Sequence, residues 1–261
     1  MSWILFATFF PLLFLSVPIS FVLILSTIAY ILAMGGDVSW LLVPSRIVRG
    51  MDSFLLMCLP FFVLAGNLMN NGGITERLIK LAQAFVGHIR GGLAMVDVMV
   101  CAFFGAVSGS AVAATSAVGS VMIPSLQKEG YPADFSAGLT AVASTMAPVI
   151  PPSLAFVLYG AVSRVPIGDL FVAGIFPGIL MAFALMSVVY VYAKRDKYPR
   201  LPRTSWKDRL KAVKESILCL ILPVFILGGI TTGIFTPTEA AAMAALYAFV
   251  LSMFIYKTIA W

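Results

Sequence analysis

A chain of 261 residues that is 61% hydrophobic and only 11% charged is not an ordinary soluble domain, since those run near half apolar and a quarter charged. Its mean hydropathy of +1.03 points instead to an all-α protein that crosses a membrane several times. The net charge of +6 does not mark nucleic-acid binding, because nine of the 17 basic residues crowd between Lys194 and Lys214, directly after an apolar run. Basic loops in that position mark the cytoplasmic side and can also meet anionic headgroups.

A helix needs roughly 20 apolar residues to cross a ~30 Å hydrocarbon core, which allows about five to seven spans here. Cys58, Cys101 and Cys219 sit apart in apolar runs and read as small packing residues, without metal spacing. His88, beside Arg90, reads as a solvated loop residue. No nucleophile–base pair or metal cluster can be assembled, so the chain is expected not to be an enzyme.

In chain order, Trp3 to Met34 carries no charge. As one helix it would be ~48 Å long, so it must tilt, bend near Pro11 or Pro18, or run past the interface. The run lacks a basic leader and a small-residue cleavage pattern, so no secretory signal is expected. Gly35-Gly36-Asp37 ends it, and Val43 to Ser53, with Arg46, Arg49 and Asp52, reads as a connecting segment. Phe54 to Met69 is a second span. Ile74, Leu78, Leu81, Ala82 and Phe85 then recur at helical spacing in Ile74 to Ile89, which reads as an amphipathic helix lying in the interface.

Gly91 to Leu126 would be ~54 Å long as one helix, and Arg90 and Lys128 flank it. Two readings stay open: a re-entrant hairpin with arms Gly92 to Val107 and Ala111 to Leu126 turning at Ser108-Gly109-Ser110, or two short spans joined by a tight loop. Ala133 to Ala147 is an apolar half-helix stopped by Pro148, Pro151 and Pro152. Those prolines leave the carbonyls of Ser144, Ala147 and Pro148 without helical donors. A second half-helix, Ser153 to Val162, follows with Ser153 placed to cap it. Ile167 to Ala193 is a long span, Trp206 to Lys214 a short interfacial helix, Ser216 to Ile234 a span, and Ala240 to Tyr256 the last apolar run. Counting back from a cytoplasmic basic loop puts both hairpin flanks and the N-terminus inside.

The two polar breaks are expected to meet and form half of a site. Ser108, Ser110, Thr115, Ser144 and Thr145, with Gly109 and the carbonyls around Ala147 and Pro148, offer neutral oxygens that suit sodium better than a divalent ion. Pro151, Pro152 and Ser153 begin a half-helix whose N-terminus suits a substrate carboxylate. The competing reading makes these small and hydroxylated residues a helix-packing surface. Asp97 either stays near the interface or pairs within the protein, and Glu239 caps the helix after Thr236-Pro237-Thr238.

Gly105-Ala106-Val107-Ser108-Gly109-Ser110-Ala111, Gly119 to Pro124, Ala147 to Ser153 and Gly233 to Ala240 resemble, in order, motifs of the large (DctM-type) membrane subunit of tripartite ATP-independent periplasmic (TRAP) transporters. The resemblance covers nearly the whole chain. It implies one repeat of an inverted-repeat elevator, in which Na+ drives import of organic acids such as C4-dicarboxylates across the bacterial inner membrane. The implied partners are a small four-helix membrane subunit and a periplasmic substrate-binding protein. It also implies a sodium site at Ser108, Gly109, Ser110 and the Ser144 to Pro152 region. Many members carry a polar residue near Ala114, where this chain has Ala114 followed by Thr115, and one ligand stays open. The corresponding parts are 1–90 as scaffold-like spans, 91–163 as transport core, and 164–261 as C-terminal spans with the 194–214 basic loop. Only one hairpin and one proline break precede Trp261, so the chain reads as an N-terminal half. A non-transporting scaffold fragment, or a related ion-coupled anion transporter, is the alternative.

Overall fold

The computed structural model describes residues 3–35, 41–52, 54–196 and 198–258, and among them it is helical without a strand. Two compact units divide at Ser53 and Phe54. Of the expected Gly35-Gly36-Asp37 ending, Gly36 and Asp37 lie outside the described residues.

The first unit contains α1 (Trp3–Phe14), α2 (Ile19–Ala33) and α3 (Leu42–Met51). The uninterrupted apolar run is therefore two helices packed on each other rather than one span. Pro11 stays inside α1. The break comes at Ser16, with φ of 58°, and Pro18, which starts α2 with φ of −54°. Proline at a helix start gives up only a donor that would be unpaired there anyway.

The second unit runs from α4 (Cys58–Asn71) to α12 (Pro237–Val250), with a π-helical turn over Leu251–Ile255 continuing α12. On α12, Ala240, Ala241, Ala244, Ala245 and Ala248 are all buried. That small-residue stripe lets α4 approach closely. Thr238 donates to the Phe54 carbonyl at 2.8 Å and Ser252 to the Leu68 carbonyl at 2.9 Å, fastening both ends of the pair.

Helix α5 (Ile74–Val86) has the expected amphipathic stripe, but Ile74, Leu78, Leu81 and Ala82 are covered by protein. It packs on α6 (Gly92–Ser108) and α11 (Trp206–Thr231), and the Ser216 hydroxyl donates to the Arg77 carbonyl at 3.1 Å. A hydrophobic stripe reports that something apolar covers it, and here a neighbouring helix does so, which corrects the reading of a helix whose stripe faces lipid. The separate interfacial helix at Trp206 to Lys214 is also absent. Helix α11 is continuous because no glycine or proline falls between Trp206 and Leu222, and Lys211 and Glu215 add an ion pair one turn apart.

Among the described residues three segments are individually long and apolar enough to cross a membrane: α10 (Ile167–Arg195), α11, and α12 with its π turn to Ile255. The five to seven expected spans came from apolar length at roughly 20 residues per crossing. Turns at proline and glycine cut several of them to shorter pieces, among them Trp3–Phe14, Ile19–Ala33, Gly92–Ser108 and Leu154–Ser163. Along α10, Phe176, Leu180, Phe183 and Val191 stay exposed, a surface suited to hydrocarbon rather than water.

Helices α6 and α7 (Ala111–Lys128) form a hairpin, and α8 (Ala133–Ser144) returns beside both. α6 and α8 run in the same direction, since Asp97 pairs with Thr140 and Cys101 with Ser144. α9 (Leu154–Ser163) follows the proline break.

Candidate functional site

The site is built where the hairpin turn meets the broken helix. α6 ends at Ser108 because Gly109 turns left-handed, with φ of 61°, and its N–H bonds back to the Gly105 carbonyl at 2.8 Å. Only glycine takes that conformation without a steric penalty. Ser110 then caps α7, its hydroxyl accepting from the Ala113 N–H at 3.4 Å.

Across from this tip, α8 stops at Ser144 and tightens into turns. Thr145, Met146 and Ala147 donate to the carbonyls of Val142, Ala143 and Ser144 at 3.1, 3.2 and 3.0 Å. The Ser144 and Pro148 carbonyls lack α-helical donors, as expected, and find other partners. Ala147 N–H occupies the first, and the Ser153 hydroxyl donates to the second. Tighter i→i+3 turns satisfy groups that an abrupt α-helical stop would strand. The same Ser153 oxygen accepts from the Phe156 N–H at 3.2 Å and caps α9 as its sequence predicts.

The tip and the break touch. Leu154 N–H points at the Gly109 carbonyl at 3.4 Å. A Cβ on Gly109 would lie 2.6 Å from the Pro152 carbonyl oxygen. Behind the tip, a Cβ on Gly66 of α4 would come within 3.3 Å of the Ser108 Cβ. A few residues down, a Cβ on Gly105 would lie 2.6 Å from the Ala147 Cα, so α6 and the end of α8 are in backbone contact. Ser108, Gly109, Ser144, Ala147, Pro151, Pro152 and Ser153 are buried in this junction, while Ser110 and Pro148 are half-buried.

Thr115 and Thr145 stand apart from that group. Both are exposed, and their hydroxyls donate to carbonyls of their own segments, Ala111 at 2.9 Å and Val142 at 2.7 Å. At the start of α9, the Leu154 and Phe156 N–H groups are already engaged, leaving that of Ala155 without a partner among the described residues. Beside the break lies a cavity of about 360 Å³ lined by Met99, Phe103 and Ala106 of α6, by Ile150 and Pro151, and by α10 and α11. Its wall carries no charged side chain.

Two polar pairs whose partners the sequence did not name join α6 to α8. Asp97 is fully buried and pairs within the protein, one of its two expected placements, with its Oδ2 2.8 Å from the Thr140 hydroxyl. One turn further, Cys101 and Ser144 meet at 3.7 Å. The i, i+4 spacing of Asp97 with Cys101 and of Thr140 with Ser144 is the signal that would have found them. His88 is half-buried rather than solvated, with its Nδ1 shielded from solvent and without a partner among the described residues.

Residues 6–261 match the family described as tripartite ATP-independent periplasmic transporter, DctM component. The sialic acid TRAP transporter large permease protein SiaM of Vibrio cholerae is 42% identical over 248 residues, covering 95% of this chain and 58% of that protein. The C4-dicarboxylate TRAP transporter large permease protein DctM of Pseudomonas aeruginosa is 45% identical over 206 residues, covering 79% of this chain and 48% of its own. The ectoine/5-hydroxyectoine TRAP transporter large permease protein UehC of Ruegeria pomeroyi is 38% identical over 259 residues, covering 99% and 60%. The chain spans about half to three-fifths of the length of these relatives.

Proposed function

This chain belongs to the DctM component family of tripartite ATP-independent periplasmic transporters, and from that premise we propose that it serves in the large permease of a sodium-coupled importer of organic acids in the bacterial inner membrane. Its relatives are transporter permeases, not enzymes. Their named substrates range over sialic acid, C4-dicarboxylates and ectoine, so the proposal commits to the organic acid class, with C4-dicarboxylates as one case. A periplasmic binding protein delivers the substrate and a small membrane subunit completes the assembly. The helical hairpin is re-entrant, and it moves with the broken helix as one half of an elevator core.

The observation that carries this reading is the contact of the Gly109 tip with the Pro152–Leu154 break. It gathers the Ser108 and Ser110 hydroxyls and the adjacent carbonyls at a place where a dehydrated sodium ion could exchange water for neutral oxygens. The buried part of the site holds no fixed negative charge among Ser108 to Ser110 and Ser144 to Ser153, which favours a monovalent over a divalent ion. Substrate uptake by the complete assembly in vesicles tests it. Uptake is expected to require sodium and to be lost in Ser110→Ala and in Pro151→Ala, while Thr115→Val, whose hydroxyl is turned to its own helix, leaves it intact. Wild-type uptake from Ser110→Ala and Pro151→Ala together overturns the site.

A further inference from the structure

We infer that Asp97 is a proton-binding site, holding its carboxyl as the neutral acid within the contact between α6 and α8. The proposal stands without the transport reading. Asp97 has no solvent exposure, and its Oδ1 has no hydrogen-bond partner among the described residues. Its Oδ2 meets one group, the Thr140 hydroxyl, at 2.8 Å. That same hydroxyl lies 3.1 Å from the Ser136 carbonyl. A threonine hydroxyl has one proton to donate and lone pairs to accept with. If Asp97 is ionised, Thr140 can serve only one of its two oxygen neighbours, and a buried charge keeps a single hydrogen bond. If Asp97 carries a proton, both contacts are satisfied in one direction: the acid O–H donates to Thr140 Oγ1, and Thr140 donates to the Ser136 carbonyl.

Among the described residues no cation stands in for the proton. Within α6 the other titratable group is Cys101, one turn on, which faces Ser144. Of the charged residues on the elements that pack against α6, namely Glu76, Arg77 and Lys80 on α5, Lys128 on α7, Asp134 on α8, Asp169, Lys194 and Arg195 on α10 and the Lys207–Glu215 charges on α11, none makes an ion pair or hydrogen bond with Asp97. Burying an unpaired carboxylate is far more costly than burying the neutral acid. The place matters because α6 ends at the hairpin tip and α8 ends at the helix break. Asp97–Thr140 and Cys101–Ser144 are successive rungs that lead to the bare Gly105–Ala147 backbone contact. Loss of the proton would leave a charge between the two elements that carry tip and break, so proton occupancy favours their contact.

Infrared spectroscopy of the complete assembly, with aspartate carboxyls isotopically labelled, tests the assignment at neutral pH. A labelled C=O band of a protonated acid is expected in the wild type, absent in Asp97→Asn and shifted in Thr140→Val, which removes the acceptor of the acid proton. Absence of that band in the wild type overturns the proposal. So does an ionised-carboxylate band that moves when sodium replaces potassium, which would make Asp97 a metal-cation site. Should Asp97→Asn fail to assemble, Thr140→Val decides alone: an unshifted band overturns the assignment.

Discussion

Gly109 shows how much one residue carries in this fold. Its left-handed backbone makes the turn, and its bare Cα lets the Pro152 carbonyl approach. An L-residue in that conformation costs roughly 1–2 kcal/mol before any clash, and a Cβ would stand 2.6 Å from that oxygen. Gly109→Ala is therefore expected to lower the melting temperature of the assembly and to abolish uptake together. A variant that keeps wild-type uptake would show that the tip does not need the break. Ser108-Gly109-Ser110 was legible in the sequence as a turn, because glycine between two serines inside an apolar run has few other uses. That Thr115 and Thr145 stand apart from the junction was not legible in the sequence. Their residue type suits a sodium ligand, and only the helix phase turns Thr115 to the surface and lets both hydroxyls bond back to their own segments.

Local signals at the helix ends were read well. Ser153 is a cap with the hydrogen bond that its position predicts, and Ser110, read only as part of the turn, caps α7 as well. Thr236 and Glu239 form a reciprocal capping box at the start of α12, with the Glu239 carboxylate accepting from the Thr236 N–H at 2.8 Å. Removing such a cap typically costs about 1 kcal/mol, so Thr236→Ala is expected to lower the thermal midpoint by a few degrees. Glu239→Gln is expected to act in the same direction and more weakly, and thermal unfolding of the two variants checks the order. Helix ends are legible because the groups that satisfy them lie within four residues. Helix continuity is harder to read. A cluster of charge suggested a boundary near Lys214, yet charge alone does not terminate a helix, and α11 runs straight through to Thr231.

Contacts that join distant segments belong to the molecule as a whole. Tyr131, in the loop between α7 and α8, is buried against Tyr198, just past α10, with ring centroids 4.3 Å apart. Burial pushes its phenol from the usual 10.0 up to about 12. The unfolded chain thus loses this proton first as pH rises, and stability falls across that interval. The fall is expected to be shallower in Tyr131→Phe than in the wild type, as followed by thermal melting of the assembly from neutral to alkaline pH. A matching slope in the two proteins would place the alkaline sensitivity elsewhere. At the same scale, bound sodium at a hundred times its dissociation constant would stabilise the assembly by about 2.7 kcal/mol. Sodium but not potassium is expected to raise its melting temperature, and equal shifts would argue against the proposed ion.

The sequence by itself determined the class of protein, the caps at Ser153 and Glu239, the hairpin turn and the proline break. Each of these follows from hydropathy or from the local stereochemistry of glycine, proline and short hydroxylated side chains. Only the tertiary structure decided that the two breaks touch, that α5 is covered by protein, and that Asp97 is sealed against Thr140. Those outcomes depend on which helix faces lie opposite each other across dozens of residues. Hydropathy records that a face is apolar or a group is buried, but the same apolar pattern serves a lipid tail and a neighbouring helix alike.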